Sequence, residues 1–361
     1  MIRKHFGEMP ILANRKCVAR VALLAIASFV LVGSSLAGPS GKPLEIYFVD
    51  AEGGQATLFA TPDGGSLLID TGWPDFSGRD AERIVAVAKL AGLSKLDFVL
   101  LTHYHMDHAG GVAQLAARMP IGAFIDHGAN RQTSEKATVQ MYEDYQKVIA
   151  EKGVKRIIAK VGDILPVKGI RVEVVSADGV VLAKPLSGAG SQNPACATAA
   201  AQPPDRTENA RSLGTILTFG KSRILDLGDL TWEKELGLVC PVNKLGAVDV
   251  FVVSHHGTAG SNSPALLAAI TPRIAIMDNG AAKGGAPVSW DAVKSSPRLE
   301  DLWQLHFSGD GGAAHNSADA LIANPAGADA GNYLKVSVWA DGNLEVFNSR
   351  TKASKHYAPA R

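Results

Sequence analysis

Outside one N-terminal stretch, the 361-residue chain has no apolar run long enough to cross a membrane, which takes about 20 residues. It has no excess of positive charge either: 36 Lys and Arg against 35 Asp and Glu give +1. The broad positive field of a general nucleic-acid binder is missing, which leaves room for a local basic groove at most. Cysteine is scarce, at three residues. No internal repeat is visible, and no serine-elbow pattern surrounds Ser212, Ser254 or Ser261, so none of them is a convincing nucleophile. What remains, 46% hydrophobic and 20% charged, is ordinary globular composition.

The N-terminal exception reads as a leader, residues 1–37. Arg3, Lys4, Arg15, Lys16 and Arg20 precede an apolar segment from Val21 to Val32, and Ser35-Leu36-Ala37 offers small residues for cleavage. The segment is short for a membrane anchor. The expectation is an exported protein, periplasmic or secreted, without stable membrane insertion after processing. Loss of those five basic residues against one acid, Glu8, would leave the remainder mildly acidic. Cys17 precedes the apolar segment and is badly placed for lipid modification. Cys196 and Cys240 survive processing; in an oxidising compartment they are either a disulfide or two thiols, and the sequence leaves both open.

From residue 43 the pattern is strand-rich, and residues 43–350 read as a single domain followed by a tail, 351–361. Leu44–Val49, Gln55–Ala60 and Ser66–Asp70, separated by Gly53-Gly54 and Pro62-Asp63-Gly64-Gly65, predict a meander of three strands. Helical spacing over Arg79–Ala91 precedes a buried strand, Asp97–Leu101. Val112–Met119 and Glu135–Lys152 predict helices around a strand at Ile121–Ile125. Further strands are expected near 156–159, 170–175, 213–219, 223–227, 248–253, 273–277, 334–339 and 344–348, with a short helix at Pro264–Ile270. Residues 187–205, rich in Ala, Pro, Gly, Ser and Asn, read as a long loop. Alternating strands and helices predict an α/β layout, two sheets with helices outside.

The sharpest signal follows the buried strand: Thr102-His103-Tyr104-His105-Met106-Asp107-His108-Ala109-Gly110-Gly111. His103 and His105 alternate, so an extended backbone projects both to one side. Three imidazoles and a carboxylate within six residues form a nitrogen and oxygen set suited to zinc. Packing has no use for so many polar groups, and burying them unpaired would be costly.

This run resembles the His-x-His-x-Asp-His signature of the metallo-β-lactamase superfamily. Asp70-Thr71-Gly72, Gly228-Asp229 and Ser254-His255-His256-Gly257 are similar to its other landmarks, in order. Val49–Ala56, Asn209–Leu213 and the double histidine resemble one branch in particular. That branch contains the hydrolase-like domain of a bacterial competence DNA-uptake protein and a phosphorylcholine esterase. The resemblance implies an αββα four-layer sandwich of two mixed sheets. It implies two divalent metal ions, Zn2+ first and Mn2+ or Fe2+ as alternatives. His103 and His105 would hold the first; Asp107, His108 and one of His255 and His256 the second, His255 being favoured because it leaves the strand directly. Asp229 would bridge. Asp70 is expected to orient a histidine rather than bind metal. The third histidine usual on the first metal is absent: between His108 and Asp229 the sole histidine is His127, a weak candidate. The branch instead places Asn209 there, a poorer zinc ligand than imidazole. His306 and His315 are expected at satisfied or surface positions.

Two ions about 3.5–4 Å apart can hold a hydroxide for attack and clamp substrate oxygens. Asp107 and Asp229 are the expected catalytic carboxylates, Asp229 being able to take the hydroxide proton. Three functions follow. The first is a phosphodiester hydrolase acting on a small-molecule ester or, less favoured by charge, nucleic acid. The second is a hydrolase of lactones, thioesters or β-lactams. The third is a catalytically weak metal-binding module. Iron-using redox relatives carry glutamate where His105 stands, which favours hydrolysis. Oligomeric state is not legible.

Overall fold

The computed structural model describes residues 41–327 and 330–360, so the expected leader, 1–37, lies outside them. The chain begins with β1 (Leu44–Phe48), β2 (Thr57–Ala60), β3 (Ser66–Ile69), α1 (Arg79–Leu90) and β4 (Leu96–Leu100). It continues through α2 (Met106–Ala109), α3 (Val112–Arg118), β5 (Ile121–Asp126), α4 (Lys136–Lys152) and β6 (Lys155–Ile158). Next come β7 (Ile164–Leu165), β8 (Arg171–Ala177), β9 (Val180–Val181), β10 (Gly214–Phe219), β11 (Ser222–Asp226) and α5 (Trp232–Val239). β12 (Val250–Val252), α6 (Pro264–Ile270), β13 (Ile274–Met277), α7 (Pro287–Lys294), β14 (Asp301–His306) and β15 (Ile322–Asn324) follow. β16 (Leu334–Val338), β17 (Leu344–Asn348) and β18 (Ala353–Tyr357) complete the described elements.

Two mixed sheets result. One runs β18-β17-β16-β1-β2-β3-β4-β5-β6, parallel from β3 to β6; the other runs β15-β14-β13-β12-β11-β10-β8-β7, parallel from β15 to β11. Period-2 alternation decides which side chains enter which layer. Leu44, Ile46, Phe59, Leu67 and Ile69 meet Val172, Val174, Ile224, Val250 and Ile274 in one apolar cluster between the sheets. Tyr47, Leu58, Leu68 and Val99 face the other way, against Ile84 and Val87 of α1, Leu115 of α3 and Tyr145 of α4. On the far side, Ile216, Leu225, Phe251 and Met277 pack on Leu238 of α5, Leu266 of α6 and Val293 of α7. These three apolar seams define an αββα sandwich, and each fully buried Leu, Ile or Phe in them contributes about 1.5–3 kcal/mol.

The three-strand meander and α1, α3, α4 and α6 form where the apolar spacing predicts them. Other elements depart from expectation. Residues 351–361, read as a tail, contain β18, which pairs antiparallel with β17. Four of its five residues are exposed, as suits a sheet edge, so it lacked the apolar signal of a strand. Its last residue is anchored: the Tyr357 hydroxyl accepts from Trp303 Nε1 at 2.9 Å and donates to Asp301 Oδ2 at 2.5 Å. α7, which no apolar spacing announced, forms with Pro287 in its first turn, where a missing N–H costs no helical hydrogen bond. Cys196 and Cys240 are joined, resolving the open alternative and tying the 187–205 loop to the end of α5. No helix among the described residues is long and apolar enough to cross a membrane.

Candidate metal centre

The histidines and aspartates of the sequence motifs gather beyond the carboxyl ends of parallel strands in both sheets. His103 to His108 follow β4, Asp229 follows β11, and His255 and His256 follow β12. The Gly53-Gly54 turn brings the first sheet onto this cluster. Gln55 N donates to Asp107 O at 3.0 Å, and a Cβ on Gly54 would stand 2.5 Å from that same oxygen. Any side chain there would push Asp107 away.

Asp107, His108, Asp229 and His256 form one buried group whose ligand atoms all lie within 4.8 Å of one another. His108 Nε2 is 3.2 Å from Asp107 Oδ2 and 3.2 Å from Asp229 Oδ1. His256 Nε2 is 3.2 Å from Asp107 Oδ2 and 3.4 Å from Asp229 Oδ1. The other Asp229 oxygen faces a second set: Oδ2 lies 3.4 Å from His255 Nε2 and 3.9 Å from His103 Nε2. His105 Nδ1 approaches His103 Nε2 at 3.1 Å. Asp229 thus stands between two groups of imidazoles, one oxygen toward each.

His256, and not the favoured His255, completes the group with Asp107 and His108. The physical reason is local. His255 and His256 both adopt left-handed backbone, with φ of 54° and 53°, so strand alternation no longer decides which ring points inward. His255 N donates to Gly228 O at 3.0 Å, which fixes the turn against Asp229. His255 stands beside Asn209, whose Nδ2 is 3.5 Å from its Nε2.

The two groups fit divalent ions. His108 Nε2 and His256 Nε2 lie 3.2 Å apart, an approach of two imidazole nitrogens that calls for a shared proton or cation. Asp229 Oδ1 and Asn209 Oδ1 are buried without a hydrogen-bond partner, the condition expected of oxygens that serve an ion. Electrostatics agree. Burial pushes the Asp229 carboxyl up, but His108, His255 and His256 outweigh it and hold it well below the usual carboxylate range. Burial also raises Asp107, and His108 and Lys283 more than reverse it. Burial, His108 and His105 together hold His103 well below the ordinary imidazole value.

Surrounding groups hold the ligand rings. Asp70 Oδ2 sits 2.7 Å from His108 Nδ1 and accepts from Thr102 Oγ1 at 2.6 Å, while Thr102 N donates to Asp70 Oδ1 at 2.8 Å. Asp70 therefore orients a histidine. Asp278 Oδ1 stands 3.3 Å from His256 Nδ1 in the same relation, although out of line for a hydrogen bond; the sequence reading missed it. Lys283, also missed, pairs with Asp107 Oδ2. His127 is engaged elsewhere, its Nε2 2.9 Å from Glu208 Oε2 and its ring against Tyr104. His306 is buried on Asp50 at 2.7 Å, a satisfied position, and the partly exposed His315 packs on Trp290.

Two cavities open onto the centre. One of about 380 Å³ is lined by Trp73, His105, Asp107, Glu135, Asp205 and Asn209. The other, of about 210 Å³, shares Asp205 and Asn209 and reaches Trp232, Glu233 and His255.

Residues 49–187 match the model of the metallo-beta-lactamase superfamily, and that stretch holds Asp107 and His108 of the buried His/Asp group that forms the candidate metal site. Curated relatives fall in the competence-protein-like branch. The chain is 24% identical to Recombination protein 2 of Haemophilus influenzae over 97% of its own length and 36% of that protein. It is 25% identical to ComE operon protein 3 of Bacillus subtilis over 65% of its length and 28% of that protein. The chain therefore spans about a third of the relatives it matches. Among solved structures, it is similar to CmlA, a diiron beta-hydroxylase from Streptomyces venezuelae, with TM-score 0.37, 13% identity, and coverage of 73% of this chain and 48% of that one. It is also similar to a subclass B3 metallo-beta-lactamase from a soil metagenome library, with TM-score 0.32, 13% identity, and coverage of 74% and 80%.

Proposed function

We propose that this protein hydrolyses a small phosphodiester, using two divalent ions, zinc first, held on either side of Asp229. The observation that carries the reading is the division of Asp229: Oδ1 toward His108 and His256, Oδ2 toward His103 and His255. Ions bound there would lower the pKa of water toward about 7 and act as Lewis acids on developing charge. The chain's own residues supply the rest. Asp107, His108 and His256 hold the second position; His103, His105 and His255, with Asn209 alongside, hold the first. Asp70 and Asp278 keep the rings aimed, and Asp229 is placed to accept a proton from the nucleophile.

Glu135 and Asp205 line the larger cavity and Glu233 the smaller, which disfavours a long polyanion such as DNA and favours a compact ester. The phosphodiester reading is placed first by analogy with the branch that the sequence motifs resemble, and the activity of the two longer relatives, of which this chain spans about a third, is not extended to it. The Cys196–Cys240 disulfide supports an oxidising, exported location.

The test is hydrolysis of bis(p-nitrophenyl) phosphate with zinc or manganese, before and after chelation, in wild type and Asp229→Ala. Metal-dependent turnover lost in the variant supports the reading. Absent turnover with metal bound transfers it to lactone or thioester substrates, and failure on those too leaves a metal-binding module.

A further inference from the structure

Lys283 sits where no motif pointed. Its loop, residues 279–286 between β13 and α7, is rich in glycine and alanine and is braced on several sides. Gly280 N donates to Lys283 O at 2.8 Å, closing a tight turn. Asn279 Nδ2 donates to His306 O at 2.8 Å, at the end of β14. Gly285 N donates to His256 O at 2.9 Å and Ala286 N to Gly257 O at 2.8 Å, tying the loop to the double-histidine turn. Across the cleft, a Cβ on Gly53 would stand 3.0 Å from both Lys283 Cβ and Gly280 N, so the glycine turn after β1 packs directly on the lysine.

This bracing aims the ammonium at the candidate centre. Lys283 Nζ donates to Gly53 O at 2.8 Å and to Asp107 Oδ2, and lies 5.1 Å from the centre of the Trp73 ring. Asp107 Oδ2 is the same atom that stands 3.2 Å from both His108 Nε2 and His256 Nε2. An ammonium carries three N–H groups. Among the described residues, two acceptors serve it, and the side chain remains 30% exposed. A third N–H is left on a side chain that contacts two residues lining the cleft, Asp107 and Trp73.

We propose that Lys283 is the substrate-anion anchor of this site. It donates to a non-bridging oxygen of the phosphoryl group next to the position held by Asp107, His108 and His256, and so selects anionic esters over neutral ones. The proposal rests on the phosphodiester reading above. A neutral lactone or carboxylic ester offers this cation no charge to pair with, whereas a phosphodiester presents one at the reacting centre. A lysine that merely held its loop to Asp107 would affect metal loading and stability, not discrimination between substrates.

The experiment compares zinc-loaded wild type, Lys283→Met and Lys283→Arg. Zinc content is measured for each, binding of inorganic phosphate is followed by calorimetry, and kinetics are run on bis(p-nitrophenyl) phosphate and neutral p-nitrophenyl acetate. Lys283→Met is expected to retain zinc, to bind phosphate about 10- to 100-fold more weakly, and to raise KM for the diester by a similar factor, as loss of one charged hydrogen bond implies. The loss on the diester should exceed that on the acetate by about tenfold on the same basis, with Arg restoring most of it. If wild type leaves the diester intact but binds phosphate through Lys283, the anchor stands and the hydrolytic reading fails. Phosphate binding by Lys283→Met within about twofold of wild type, against the expected loss, overturns the anchor. Loss of zinc in both variants overturns it too, by making Lys283 a shaper of the metal position.

Discussion

Asp70 and His108 meet at 2.7 Å, carboxylate Oδ2 to imidazole Nδ1, in a fully buried pair that Thr102 completes with two further hydrogen bonds. The contact leaves His108 Nε2 as the nitrogen facing Asp107 and Asp229. Replacing Asp70 with Asn keeps the size but removes the charge that fixes the ring. Zinc affinity, read by competition with a chelator, is expected to fall about 10- to 100-fold. Affinity within a factor of about two of wild type would remove Asp70 from its role as the group that orients His108.

The two adjacent histidines should separate on substitution. His256→Ala breaks the four-residue buried group, and His255→Ala leaves it intact. Elemental analysis after dialysis is expected to show the tightly held ion lost from the first variant and kept by the second. The opposite result would return the second position to His255.

Asp226 and Glu235, neither of them among the ligand residues, carry a pH dependence of their own. Burial pushes each carboxyl up to about 7, against backbone hydrogen bonds from Gly228 to Asp226 and from Ser263 and Asn262 to Glu235. In the unfolded chain they ionise near 3.8 and 4.5. Between those values and about 7 the folded protein holds protons that the unfolded chain has released, so stability falls as pH rises through this window. Asp226→Asn removes one of the two ionisations, and Gln55 can turn its amide to donate no longer but accept. Relative to wild type, the variant should gain on the order of 4 kcal/mol on going from about pH 4 to about pH 8. Urea midpoints at both ends test this; an offset equal at the two ends would exclude Asp226 as the titrating group.

Tyr357 fixes the edge strand that closes the first sheet. Tyr357→Phe leaves the Asp301 carboxylate and Trp303 N–H without their shared hydroxyl and is expected to cost about 1–3 kcal/mol in urea unfolding. A change below about 0.5 kcal/mol would show that water replaces the hydroxyl.

Reduction of the Cys196–Cys240 disulfide, which spans 44 residues, is expected to lower stability by about 2–4 kcal/mol. It should also expose the 187–205 loop to protease. Equal cleavage of reduced and oxidised protein would mean that Gln192, bridged to Val242, holds the loop without it.

Much of this centre was legible because its signal is local. His103, His105, Asp107 and His108 lie within six residues, directly after a strand whose continuous apolar run also announces the core. The assignment of His256 was not legible, since it depends on two consecutive left-handed residues that no side-chain pattern requires. Lys283 and Asp278 were hidden for another reason. Each acts across 22 or more residues of sequence, on His256 or Asp107, from a loop with no recognisable motif. β18 was hidden because an exposed edge strand needs almost no apolar residues.

The buried group of four draws Asp107 and His108 from one sheet and Asp229 and His256 from the other. A half-folded chain with only the first sheet in place holds His103, His105, Asp107 and His108 but neither Asp229 nor His256, so the group of four closes only when both sheets are present. An ion held by all four registers that the halves have met. Zinc should then act on the unfolding arm of the folding kinetics, slowing departure from the native state while leaving the rate of arrival almost untouched.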